Sequence, residues 1–200
     1  MHGLLGQIAF ADNRDKFVGR EKNTSNEDAL FRALTDYFVN HTKIEKADLE
    51  LLKKVISNPM YEDVFLQYSG QFYRGMSVSY NYLKKRIDDL PSHEQLKSEY
   101  GMRRQFVIED HDFTYVPRHG YSSWSENLET ADAFAYTKGS ITDGTLGIIL
   151  CADTADFMGD IFSLDALYRE TDALYAVSDE AEIFCIGNVD LHKIIIARTY

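Results

Sequence analysis

The sequence predicts an α+β protein with an antiparallel or mixed sheet. Helical periodicity fills the first third of the chain, short apolar segments typical of strands dominate the rest, and no regular alternation of strand and helix occurs. The 200 residues suit one domain, and a hydrophobic content of 44% is enough for a core. We therefore expect a single domain over residues 1–200, with a helical lobe at 1–69 and a β-rich core at 70–200.

Three helices are expected in the N-terminal part. Residues 26–41 carry apolar side chains three or four positions apart, and residues 46–57 repeat this pattern until Asn58-Pro59 ends it. Residues 60–68 form a third, shorter candidate. The first third of the chain is therefore expected to be helical.

The character of the sequence changes at GQFYRGM, residues 70–76. This segment is aromatic and bounded by glycines, which is typical of a short strand, and it has one arginine inside it. Residues 78–100 have helical character that is interrupted near Pro91. The segment QFVIEDHDFTYV, residues 105–116, predicts a strand or a hairpin.

The remaining elements include one further long helix. After HGYSSWS, residues 119–125, the segment ENLETADAFAYT places alanines and aromatics on one helical face. The other candidates are a buried strand, a short helix and two closing strands, at residues 146–152, 162–170, 182–187 and 193–200.

The charge and the cysteine content exclude several classes of protein. The net charge is −11 without basic clusters, which argues against a primary nucleic-acid binder. No apolar run is long enough for a membrane span, and the first residues lack a basic signal-peptide region. Cys151 and Cys185 lie in apolar runs, which indicates buried free thiols in a reducing compartment. We expect a soluble cytoplasmic protein.

Three features carry chemistry at wide separation along the chain. They are Arg74 inside the aromatic strand, the serines of YSSWS before a helix, and Glu180 with Glu182 at the start of an apolar strand. Each also has a plain structural interpretation: an ion-paired arginine, Ser125 as a helix cap, and a solvated carboxylate pair. The two carboxylates are two residues apart, so in a strand they would lie on one face, where like charges repel.

In this order the features resemble the Arg–Ser–Glu class of mono-ADP-ribosyltransferases, of the arginine-specific Glu-x-Glu type found in bacteria and phages. FYRGM is similar to the first motif, YSSWSENLETADAFA to the second and EAE to the third. The resemblance covers residues 70–200. Trp124 stands where threonine is frequent in the family, and the register favours Ser123 over Ser122 as the key serine.

The resemblance implies two small packed β-sheets around a cleft for NAD, which serves as co-substrate without a metal. A G-x-G-x-x-G fingerprint of the Rossmann fold is absent, as the family leads one to expect. Arg74 would bind the pyrophosphate, and the backbone of Gly75 would approach the nicotinamide carboxamide. Glu182 would stabilise the positive charge that develops on the ribose, Ser123 would orient Glu182, and Ser125 would help to hold the cofactor.

The resemblance implies that the segment before Glu182 binds the acceptor arginine. Glu180 would position or deprotonate the acceptor arginine, whose guanidinium would relieve the repulsion between the two carboxylates. The preceding segment TDALYAVSD would recognise the target, with Tyr175 as its aromatic candidate and core packing as the alternative. The loop at 138–144 would lie near the phosphates of NAD; for its Lys138 a solvated side chain is the favoured interpretation and a phosphate contact the alternative. The partner would be a protein with an accessible arginine, in the transcription or translation machinery.

Other functions fit the sequence less well. An NAD glycohydrolase of the same fold is the main alternative, and a binding scaffold without activity is another. A glycosidase is disfavoured because carboxylates two residues apart on one strand do not straddle a bond. The histidines lack metal-ligand spacing, Asp110-His111-Asp112 is expected to form a turn between strands, and no G-x-S-x-G motif of a serine hydrolase occurs.

Overall fold

The computed structural model describes residues 44, 46–57, 70–100, 106–137, 144–163 and 182–199. These residues form four helices, namely α1 (Lys46–Ile56), α2 (Tyr80–Lys84), α3 (His93–Tyr100) and α4 (Leu128–Thr137). They also form seven strands, namely β1 (Gln71–Ser79), β2 (Phe106–Tyr115), β3 (Tyr121–Ser125), β4 (Thr145–Asp153), β5 (Asp160–Ser163), β6 (Glu182–Ile186) and β7 (Val189–Thr199). A short 3₁₀ helix, Thr154–Asp156, follows β4. The α+β class is confirmed.

The helices expected at 46–57, 78–100 and 126–137 are present, except that Val78 and Ser79 still belong to strand β1. Helix α1 matches the expected helix at 46–57, and its apolar residues Leu49 and Leu52 are buried. The expected helices at 26–41 and 60–68 lie outside the described residues.

The interruption predicted near Pro91 is confirmed, because α2 and α3 are separate helices with their own caps. Ser79 precedes α2, and its hydroxyl accepts a hydrogen bond from the backbone N–H of Tyr82. Ser92 precedes α3 and exchanges hydrogen bonds with Gln95: each backbone N–H donates to the other side chain. This reciprocal pair is a capping box, which satisfies backbone donors that a helix start leaves free.

Two expectations about strands are corrected. Asp110-His111-Asp112 is not a turn between strands but lies inside the single strand β2, where the register with β7 shifts between Glu109 and Phe113. Such a bulge accommodates extra residues without reversing the chain. Phe162 and Ser163, expected at the start of a short helix, end strand β5 instead.

The strands are hydrogen-bonded in the order β2-β7-β4-β1-β3-β6-β5, and the five registered pairings are all antiparallel. The pairing of β1 with β4 runs through nine residues of each strand, whereas β1 and β3 share one registered pair, Tyr73 opposite Ser125. The expected two small sheets are therefore joined at a narrow junction. We call β2-β7-β4-β1 the four-stranded layer and β3-β6-β5 the three-stranded layer.

Contacts between aromatic rings show that the two layers fold onto each other. Strands β2 and β3 are four positions apart in the sheet order, which in a flat sheet is about 19 Å. Yet the rings of Tyr115 on β2 and Trp124 on β3 are 6.1 Å apart. Phe157 joins the same cluster, at 5.2 Å from Trp124 and 5.7 Å from Phe72 on β1. The core between the layers is thus aromatic, and the layers pack face to face as expected.

Helix α4 covers the other face of the four-stranded layer. Ala131 and Ala135 of α4 form a buried cluster with residues of β4 and β7. Gly75 of β1 lies directly beneath them: a Cβ atom at this position would be 1.7 Å from the carbonyl oxygen of Ala131. Only glycine permits so close an approach. Strand β1 is therefore in contact with α4 on one face, and the three-stranded layer covers its other face.

The chain divides into two compact units, residues 1–67 with 162–181, and residues 68–161 with 182–200. The division of the domain into 1–69 and 70–200 stays a prediction. Within the described part of the chain, no helix combines the length and the apolar character that crossing a membrane requires.

Candidate functional site

Arg74 projects from β1 toward the three-stranded layer. Its neighbours Tyr73 and Gly75 face α4, and because side chains alternate along a strand, Arg74 faces the opposite way. The guanidinium Nη1 donates to the backbone carbonyl of Ser123 at 2.5 Å and lies 3.4 Å from the Ser123 hydroxyl. Arg74 and Ser123 are 49 positions apart in sequence, so the fold brings together the first two predicted site residues.

The described residues satisfy only part of the hydrogen-bonding capacity of the Arg74 guanidinium. Its Cζ atom lies 5.8 Å from the centre of the Tyr115 ring, within range of a cation–π contact. Its Nε atom is buried and has no hydrogen-bond partner among the described residues. A buried donor without a partner costs about 1–3 kcal/mol. This cost is tolerated at sites where a ligand supplies the missing acceptor.

The side chains of Ser122, Ser123 and Trp124 differ in their hydrogen-bond partners. The indole N–H of Trp124 donates to the hydroxyl of Ser122 at 2.9 Å, and both side chains are buried. Ser123, between them, has its hydroxyl on the side of Arg74. Ser122 therefore serves the core, and Ser123 is the serine next to the arginine.

The start of α4 is capped by a residue that the sequence interpretation did not select. The side-chain oxygen of Asn127 accepts from the backbone N–H of Glu129 at 2.8 Å, which is the geometry of an N-cap. Ser125, whose structural interpretation was a helix cap, lies two residues earlier: its hydroxyl accepts from the backbone N–H of Asn127 at 2.9 Å. The serine thus fixes the residue that caps the helix.

Glu182 begins strand β6 and pairs with β3. Its register partner is Ser125, and Ser123 pairs with Phe184 two positions further along β6. The backbone of Glu182 is therefore diagonally across from Ser123. Glu180, Tyr175 and Lys138 lie outside the described residues.

The edge of β1 is open beside these residues. From Arg74 to Ser79 the strand pairs with β4, but it has no registered partner on the side of β3 within the described part of the chain. Unpaired strand edges present backbone N–H and C=O groups that can bind an extended ligand or an amide. Gly75, the expected carboxamide contact, lies on this edge, although the contact with α4 already explains why the residue is glycine.

Both cysteines are buried, as the sequence predicted. Burial raises the pKa of Cys185 to about 12 and that of Cys151 to about 11. The Ser122 hydroxyl and the charge of Arg74 lower the pKa of Cys185 by smaller amounts. Neither thiol is a nucleophile at neutral pH, because the reactive species is the thiolate.

Metal ligands do not cluster in the part of the chain that the structure describes. Among those residues, no three His, Cys, Asp or Glu side chains are placed to hold a metal ion.

Tyr115 is the residue beside Arg74 that the sequence interpretation missed. It ends strand β2, is 8% exposed, and touches both Arg74 and Trp124. In the sequence it is one aromatic among several at strand spacing, and its role depends on the layers folding onto each other. No local signal distinguishes it.

Comparison with known proteins gives weak structural likenesses. No protein-family model matches the chain, and no curated protein matches it. Similar solved structures include the Vis toxin, an ADP-ribosyltransferase from Vibrio splendidus, at 13% identity and a TM-score of 0.34, covering 92% of this chain and 73% of that one. ADP-ribosyltransferase Vis in complex with agmatine is similar at 15% identity and a TM-score of 0.33, covering 94% and 76%. Likeness at this level carries no argument about activity.

Proposed function

We propose that this protein is a mono-ADP-ribosyltransferase that moves ADP-ribose from NAD to an arginine side chain. The observation that carries the proposal is the contact of Arg74 with Ser123, because two separate sequence motifs of the same resemblance point to these two residues. The register of β6, which begins with Glu182 diagonally across from Ser123, supports the third member of the set.

The donor side uses Arg74 and the open edge of β1. The free Nε donor of Arg74 suits a phosphate oxygen, since a guanidinium binds phosphate with planar, charge-assisted hydrogen bonds. The edge beyond Tyr73 supplies backbone groups for the carboxamide of nicotinamide, and the backbone of Gly75 is the proposed contact. Ser125, opposite Glu182, completes the set of residues that would hold NAD.

The reaction breaks the bond between the ribose C1′ and the nicotinamide nitrogen, which leaves with the bonding electrons. The positive charge that develops on the ribose is stabilised by the carboxylate of Glu182, as a glycosidase carboxylate stabilises an oxocarbenium-like centre. Ser123 orients that carboxylate. A guanidino nitrogen of the acceptor arginine then forms the new bond to C1′, and Glu180 accepts its proton.

The target would be a protein with an accessible arginine, recognised through the segment that includes Tyr175. The net charge of −11 favours a basic target surface. This suits the transcription or translation machinery, whose nucleic-acid-binding proteins are basic. The loop at 138–144 would lie near the phosphates of NAD.

Glu182→Gln tests the donor chemistry. The variant keeps the shape of the side chain and removes the charge, so nicotinamide release from NAD should fall by about 100-fold or more. Chromatographic measurement of nicotinamide provides the assay. Near wild-type release by Glu182→Gln would refute the catalytic assignment.

Glu180→Gln is the matched control that separates transfer from hydrolysis. Because Glu180 acts on the acceptor, this variant should still release nicotinamide but should transfer ADP-ribose to agmatine about 10- to 150-fold more slowly. Equal loss of both activities would assign Glu180 to the donor or to the fold. A wild-type protein that releases nicotinamide but never modifies agmatine or a protein arginine would be an NAD glycohydrolase.

A further inference from the structure

We propose that Tyr115, fixed in place by Trp124, is a positioning residue that orients the guanidinium of Arg74 for NAD. This inference rests on the proposed function, because it assigns Arg74 to the binding of NAD. It adds a residue outside all three sequence motifs, from a strand at the far edge of the four-stranded layer.

The geometry forms a chain of contacts from the core to the guanidinium. The hydroxyl of Ser122 accepts from the indole of Trp124 at 2.9 Å, and the Trp124 ring meets the Tyr115 ring edge-on, at 6.1 Å and 80°. The Tyr115 ring in turn lies 5.8 Å from the Cζ of Arg74. Tyr115 and Trp124 are 8% and 2% exposed, so neither ring has room to turn away.

The physical need for such a support comes from the flexibility of arginine. An arginine side chain loses about 2 kcal/mol of rotamer entropy when it is held in one geometry. Among the described residues, hydrogen bonds hold Arg74 through Nη1 only, on Ser123. The face of the Tyr115 ring attracts the cation and restricts the plane of the guanidinium, which keeps the remaining donors aimed before NAD arrives.

A purely structural role for Tyr115 would give different results from a positioning role. A core aromatic affects the free energy of unfolding, but it affects neither the KM for NAD nor the environment of Arg74. Phe72 is the matched control, because it is fully buried in the same aromatic core, beside Phe157 at 5.7 Å, and lies on the same strand as Arg74.

The first experiment measures NAD kinetics of the full chain. Tyr115→Leu removes the ring and should raise the KM for NAD about 3- to 10-fold at nearly constant kcat, which is the range for losing a part-buried cation–π contact. Tyr115→Phe keeps the ring and should retain the wild-type KM. Phe72→Leu should lower the melting temperature and leave the KM unchanged. An equal rise of KM in Phe72→Leu and Tyr115→Leu would overturn the proposal.

A double-mutant cycle tests whether Tyr115 acts through Arg74. Arg74→Lys should raise the KM for NAD by itself, because lysine lacks the planar donors and stacks less well on a ring. In the Arg74→Lys background, Tyr115→Leu should then add little further change. Full additivity would show that the two residues act independently and would overturn the proposal.

A third measurement does not depend on activity. The Nε–H of Arg74 is buried, and its signal in ¹⁵N NMR spectra is to be assigned by its loss in Arg74→Lys. This signal should move in Tyr115→Leu, through loss of the ring current, and stay in place in Phe72→Leu. If Tyr115→Leu fails to fold, phenylalanine analogues of increasing ring fluorination at position 115 weaken the cation–π contact without changing shape.

The measurements separate the two proposals. If the Arg74 signal moves as expected but the protein does not cleave NAD, the proposed function is refuted, whereas the contact between Tyr115 and Arg74 stands. NAD cleavage that needs Arg74 but is insensitive to Tyr115→Leu and to fluorination would refute the positioning role alone.

Discussion

The two faces of strand β1 are used in opposite ways. Toward α4, Gly75 is in direct contact with helix backbone, and the hydroxyl of Ser77 donates to the carbonyl of Ala135 at 3.3 Å. Toward the three-stranded layer, Arg74 contacts Ser123 and Tyr115 and keeps one buried donor without a partner in the described residues. One face is closed by packing, and the other retains unfilled hydrogen-bonding capacity.

Strand β3 repeats this division. Ser122 and Trp124 satisfy each other in the core, whereas the hydroxyl of Ser123 lies next to Arg74. Alternation along a strand thus places residues that stabilise the core and residues of the candidate site at adjacent positions. Substitutions at adjacent positions should therefore produce different kinds of defect.

The largest expected effect is on the closed face of β1. Gly75→Ala places a Cβ 1.7 Å from the backbone oxygen of Ala131, so α4 must move and lose its contacts. We expect the free energy of unfolding to fall by about 3 kcal/mol or more, the upper end for overpacking. Denaturant unfolding followed by circular dichroism measures this change.

Gly120→Ala is the control for that substitution. Gly120 has φ of +79° but open space around it. Gly120→Ala should therefore lower the free energy of unfolding through backbone strain alone, by about 1–2 kcal/mol. If Gly75→Ala costs no more than Gly120→Ala, β1 and α4 do not have the close contact described above.

A reciprocal pair on β3 should give the intermediate effects. Ser122→Ala leaves the buried indole N–H of Trp124 without its acceptor, so the free energy of unfolding should fall by about 1–3 kcal/mol with NAD cleavage preserved. Ser123→Ala should change stability by less than about 0.5 kcal/mol and slow NAD cleavage about 10-fold. Parallel measurements of unfolding and nicotinamide release suffice. The reverse pattern would make Ser122 the functional serine.

The smallest effect concerns the buried thiol of Cys185. Its pKa is raised by burial from the ordinary 9.0 to about 12. The folded state therefore retains a proton that the unfolded state loses, so stability is fully present below pH 9 and is lost progressively as the pH rises toward 12. At pH 10 this loss is about 1 kcal/mol relative to pH 8.

The pH dependence of unfolding in Cys185→Ala isolates that contribution. Comparing the slopes between pH 8 and pH 10 cancels the constant cost of the substitution itself. The variant should lose less stability over this range than the wild type. Identical slopes would mean that Cys185 ionises in the folded protein as readily as in the unfolded chain.

The sequence predicted the elements whose signals are local. Strand β4 was expected from the continuous apolar run at 146–152, and the structure gives the reason for that run: the layer is covered on both faces. Helix α1 and the break between α2 and α3 were expected from periodicity and from Pro91. The bulge at 110–112 was mistaken for a turn, because the same polar residues favour both and only the register with β7 distinguishes them.

The candidate site was predictable in part. The motifs selected Arg74, Ser123 and Glu182, and the fold brings the first two into contact. Asn127 replaced Ser125 as the helix cap by a shift of two residues, which lies within the usual uncertainty of helix boundaries. Tyr115 was not predictable, because it approaches Arg74 only through the folding of the two layers.

The amino-acid sequence by itself determined what depends on near neighbours: helix α1, the break between α2 and α3 at Pro91, and the alternation of side chains on β1 and β3. Tertiary structure alone decided which residues meet across the two layers, including the pairing of Arg74 with Ser123 over 49 positions. The physical reason is that local propensities act over a few residues. The packing of the layers, by contrast, depends on buried aromatic area and strand register, which exist only once distant segments have come together.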